Sequence, residues 1–146
     1  MIANERQYRI TKAEAERFEE ALAQSDESIS DLDPRLRRAM REGLESQLEE
    51  LREQLAEYEA LRTGRVTVLE LGSLKELPEA LIRARIASGL SQKQLAERLA
   101  MKEQQLQRWE ATRYAGISLD RIQAVAEALG VTIREEVILP ARTATC

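Results

Sequence analysis

The stretch GLSQKQLAERLAMKEQQLQRWE, from Gly89 to Glu110, constrains the fold of this chain more than any other. Ser91 followed three residues later by Gln94 is a capping box that opens a helix. Leu95 and Leu99 stand four apart on one face of that helix, with the small Ala96 beside them. Ala100-Met101 makes a short turn, and a second helix follows with Leu106 and Trp109 three apart. A small residue in the first helix lets the second cross it closely, as two helices near a right angle require. The second helix then turns Lys102, Glu103, Gln104, Gln105, Gln107 and Arg108 outward. Amides and charges of this kind match base edges: Gln bridges adenine, Arg forks onto guanine, and Glu accepts from cytosine.

The wider segment from about Leu77 to Val131 resembles the helix-turn-helix domain of the XRE family, the Cro and phage-repressor type. The resemblance is carried by Gly89-Leu90-Ser91-Gln92, by Leu95-Ala96-Glu97-Arg98-Leu99 and by Arg108-Trp109-Glu110. The closing helix SLDRIQAVAEALGV matches as well. Ser118 is its cap, Leu119, Ile122, Val125, Ala126 and Leu129 form its apolar stripe, and Gly130 ends it. Two positions depart from the family pattern. Ala100 stands where glycine is common, and a left-handed alanine costs roughly 1–2 kcal/mol. Glu103 stands among the first recognition positions, where it is unfavourable near phosphate unless it meets a cytosine amino group.

The resemblance implies roles for individual residues. Gln92 would touch the phosphate backbone, and Gln104 and Arg108 would reach base edges with Lys102 and Gln105 alongside. Glu103 and Gln107 would join the DNA-contacting face. Thr112, Arg113 and Tyr114, in the following loop, would grip phosphates. Arg85 and Glu110 match a partly buried structural ion pair. Trp109 is expected to face the core with Leu95, Leu99 and Leu106.

Composition narrows the alternatives. Histidine is absent and the single cysteine is Cys146. That excludes imidazole acid–base catalysis, His/Cys zinc sites and an intrachain disulfide. There is no phosphate-cradling glycine loop, so no enzyme, cofactor or metal is expected. No apolar run approaches a membrane span, and MIANERQYRI is too charged for a signal peptide. The expected location is the cytoplasm.

The net charge of −4 resolves when the chain is divided. Residues 1–64 carry ten Lys/Arg against sixteen Asp/Glu, and residues 65–146 carry twelve against ten. Nucleic-acid affinity follows local charge, so the acidic first part is expected to meet protein.

That first part reads as a helical extension. Thr11 with Glu14 is a capping box, Ile10 a staple against Ala15, and the helix is expected to run through Phe18 and Leu22 to about Gln24. SDESISDLD, residues 25–33, is a polar connection. Asp33-Pro34 opens a long helix that Thr63-Gly64 stops. Within it Leu44, Leu48, Leu51, Leu55 and Tyr58 form a heptad seam. The seam can pair with a second copy, with the first helix, or with another protein.

RVTVLELGS, residues 65–73, reads as a short strand, and VTIREEVILP after the last helix is the other strand-like segment. The two are expected to pair, within one chain or across a dimer. The expected fold is therefore mainly α: a five-helix XRE-type domain over 74–139, preceded by the extension over 1–64 and the strand, with 140–146 disordered.

Two functions fit. One is an antitoxin of the HigA-like kind, repressing its own operon while the N-terminal helices bind a toxin. The other is a stand-alone repressor whose N-terminal helices only dimerise. Both imply a homodimer on a palindromic operator.

Overall fold

A computed structural model describes residues 1–28, 31 and 33–143. It contains α1 (Glu5–Ser28), α2 (Pro34–Arg62), a 3-10 turn (Leu74–Glu76), α3 (Leu77–Ala87), α4 (Gln92–Arg98), α5 (Glu103–Ala111) and α6 (Leu119–Leu129). The expected five-helix domain thus has four α-helices and one 3-10 turn.

α1 starts two turns earlier than Thr11. Asn4 accepts from the Gln7 backbone N–H at 2.9 Å, and the Gln7 side chain accepts from the Ala3 N–H at 2.8 Å. Those two bonds satisfy backbone donors at the helix start, which leaves Thr11 inside the helix. Ile10 is 57% exposed and so staples nothing. α2 opens as expected, with the Asp33 carboxylate accepting from the Arg35 N–H at 3.0 Å. The polar connection of residues 25–33 lies largely outside the described residues, and α1 continues to Ser28.

α1 and α2 pack antiparallel on each other. The rings of Tyr8 and Tyr58 stack at 5.1 Å, and the Tyr8 hydroxyl donates to Glu59 at 2.5 Å. Arg62 lies over the Tyr8 ring at 4.8 Å and pairs with Glu5 at 3.1 Å. Further along, Arg52 meets Glu19 at 3.0 Å. Leu48 and Tyr58 are buried, and Leu44, Leu51 and Leu55 are half-buried. The heptad seam is therefore covered within the chain, by Ala15 and its neighbours on α1.

No strand forms among the described residues. Residues 65–71 and 131–140 run without a backbone ladder, and a strand needs one. Val66 packs on the core, but Val68, Val137, Ile138 and Leu139 are 75–88% exposed. The tail from residue 140 is described only to 143, and Cys146 lies outside the described residues.

One hydrophobic cluster joins the two halves. Leu81, Ile82, Leu95, Leu106 and Val125 are its largest fully buried side chains. Ile2, Tyr8, Tyr58 and Leu61 belong to the same cluster, so the core runs across the expected boundary at 65–73.

Candidate nucleic-acid interface

The two motif helices are built largely as their residues require. Ser91 accepts from the Gln94 N–H at 3.1 Å and Gln94 accepts from the Ser91 N–H at 2.9 Å. α4 buries Leu95 and Ala96, and α5 buries Leu106. Between them Ala100 takes the left-handed conformation with φ 52°. Its N–H bonds the Glu97 carbonyl at 3.1 Å, and the Met101 N–H bonds the Ala96 carbonyl at 3.0 Å. This is a Schellman ending, with alanine where glycine is easiest. At the end of α6, Ser118 and Gly130 act as expected: Ser118 caps Arg121 and Gly130 has φ 70°.

α5 presents Lys102, Glu103, Gln104, Gln105, Gln107 and Arg108 to solvent. The Gln107 amide donates to Glu103 at 3.3 Å. Gln104 and Arg108, one turn apart, point outward with their donors and acceptors available.

Behind this face lies a buried polar network. Arg85 binds Glu110 through two hydrogen bonds of 2.6 and 3.0 Å. The same guanidinium donates to the Leu90 carbonyl at 2.9 Å and to the Ala3 carbonyl. Gln92 donates to Glu110 at 2.7 Å, and its carbonyl accepts from Asn4 at 3.5 Å. The pair expected to be partly buried is almost wholly so, with side chains 3% and 2% exposed. Glu110 accepts three bonds, which a buried carboxylate needs to offset its lost hydration.

Several residues expected at phosphates are committed elsewhere. Gln92 is 7% exposed and both ends of its amide are bonded, so the expected side-chain contact does not fit its placement. Tyr114 is 3% exposed, and its hydroxyl is buried without a hydrogen-bond partner. Burial, helped by the nearby Glu110 carboxylate, pushes its pKa above the ordinary tyrosine range. Thr112 turns back to the Arg108 carbonyl at 3.0 Å. Arg113 is exposed and pairs with Glu79 at 2.8 Å. Arg113 and Tyr114 both hold φ above +50° at the end of α5. Trp109 is half-buried at the edge of the core, tilted on Tyr114 at 6.0 Å and covered by Arg121 at 5.8 Å.

Ile2, Ala3 and Asn4 contribute to this region without having been expected there. Their one sequence signal is Asn4 with Gln7, the same three-residue spacing that marks α4.

Residues 81–135, a little over a third of the chain, match the helix-turn-helix family model. The match makes this region similar to DNA-binding, transcription-regulating helix-turn-helix domains. Neither a curated protein nor a solved structure matches the chain. No helix among the described residues is long and apolar enough to cross a membrane. No group of three or more metal-ligating side chains occurs among them.

Proposed function

We propose that the chain is a sequence-specific transcriptional repressor that reads an operator through Gln104 and Arg108. The observation that carries this reading is their exposure one turn apart on a helix braced from behind by Arg85 and Glu110. Gln suits adenine and Arg suits guanine in the major groove. A homodimer on a two-fold operator is part of the proposal, because such readers set two recognition helices about 34–36 Å apart. The unpaired apolar run Val137-Ile138-Leu139 is a suitable surface for the second copy. Selection of bound duplexes from a randomised pool tests the reading. Enrichment of a palindrome that Gln104→Ala no longer prefers supports it, and failure to enrich any duplex overturns it.

The antitoxin role is the second reading. Leu36 and Met40, at the start of α2, are 49% and 45% exposed and offer an apolar edge to a partner. The rest of the α1–α2 seam packs within the chain, which counts equally against a toxin and against a second copy along that seam. Purifying the tagged chain from its host separates the two. A stoichiometric small protein lost on Leu36→Glu/Met40→Glu identifies an antitoxin; a clean homodimer leaves the repressor.

A further inference from the structure

An open groove of about 960 Å³ separates the first turns of α1 from one flank of α5. Its lining includes Asn4, Arg6 and Gln7 from the start of the chain and Glu103, Gln107 and Arg113 from α5 and the loop after it. Positions 103 and 107 share a flank of α5, to one side of the outward face that carries Gln104 and Arg108.

An α-helix with its side chains is about 10–12 Å across, and the major groove of DNA is about 12 Å wide. A helix seated there therefore has a phosphate strand along each flank. On the 103/107 flank the strand would pass over the groove and face the first turn of α1.

The charges of the groove single out one residue. Glu5 is paired with Arg62, Glu110 with Arg85, and Arg113 with Glu79. Among the described residues, Glu103 receives only the Gln107 amide. Arg6 is exposed and enters no ion pair among the described residues. We propose that Arg6, on the first turn of α1, holds a DNA backbone phosphate across the groove from the Glu103–Gln107 flank of α5. The inference deepens the DNA-binding reading and rests on it. It makes the acidic extension part of the DNA interface, through its first turn alone. Arg6 supplies the cation that offsets Glu103 where the strand passes.

The test uses the full chain and the duplex that the wild type selects from a randomised pool, titrated across salt. Each phosphate contact contributes about 0.9 to the slope of log affinity against log salt. Arg6→Ala should flatten that slope by about 0.9 per protomer. Arg9→Ala, exposed on the same helix but outside the groove, should not change it. Circular dichroism verifies that both variants fold. An unchanged slope for Arg6→Ala overturns the inference, while loss of preference in Gln104→Ala keeps the DNA-binding reading standing. A loss that vanishes in the Glu103→Gln background also overturns it, because Arg6 would then act only by screening Glu103. Failure of the wild type to enrich any duplex overturns both.

Discussion

Arg85 and Glu110 meet through two hydrogen bonds of 2.6 and 3.0 Å, with both side chains almost wholly out of water. The pair ties α3 to the last full turn of α5, so it sets where the recognition helix lies on the domain. Removing one member of a buried pair leaves the other charge unpaired, at about 3–5 kcal/mol. Glu110→Ala should therefore destabilise the domain by that amount, measured by urea denaturation. A loss under about 1 kcal/mol, typical of exposed pairs, would show that the network is open to solvent.

The Ala3 carbonyl and the Asn4 amide complete the shell around that pair, and Ile2 is 4% exposed in the core. Ile2→Ala should cost about 2–4 kcal/mol, as a truncated core isoleucine does. Deleting residues 1–4 should cost more, because Arg85 and Gln92 each lose a partner. A fragment beginning near Gly72 lacks Tyr58 and Leu61 as well, so it should bind DNA poorly through unfolding. Thermal denaturation of the point variant and the deletion checks the order.

Ala100 holds φ 52° in the turn between the motif helices. Glycine adopts that conformation without steric cost. Ala100→Gly should stabilise the chain by about 1 kcal/mol, read as a rise in the urea midpoint at constant slope.

Tyr114 offers a pH test. Its hydroxyl is buried and unbonded, and its pKa is raised by burial and then by the Glu110 charge. A folded-state pKa above the unfolded value of about 10 means that the native state holds its proton longer. Stability is then fully present below about pH 10 and falls as pH rises beyond it. The other two tyrosines act in the same direction: Tyr8 chiefly through its bond to Glu59, Tyr58 chiefly through burial. Tyr114→Phe should reduce the alkaline loss and leave neutral stability unchanged or slightly higher, since no hydrogen bond is removed. Denaturation at neutral and alkaline pH measures both.

At the DNA surface, Gln104→Ala should weaken the selected duplex by about 1–3 kcal/mol and relax preference at one base pair. Binding titrations against single-base variants of that duplex read both effects.

What the sequence determined by itself was local. Ser91 with Gln94, Asp33 with Pro34, Ser118 and Gly130 set helix ends through bonds to backbone a few residues away. The spacing of Leu95, Leu99 and Leu106 likewise placed the core side of α4 and α5, and hence the outward side of Gln104 and Arg108. The Thr11–Glu14 pattern misled because the same spacing also fits a helix interior, and Asn4 with Gln7 caps α1 first. Long-range packing set the inward turn of Gln92 and Tyr114, the cover of the α2 seam by α1, and the docking of Ile2 to Asn4. Each of these depends on a partner far away in the chain: Glu110 for Gln92, Tyr8 for Tyr58, Arg85 for Ala3. Periodicity shows which side of a helix is apolar, but not which surface will cover it. The segments 65–71 and 131–140 carry strand-like patterns for the same reason, since a strand exists only where a second backbone meets it.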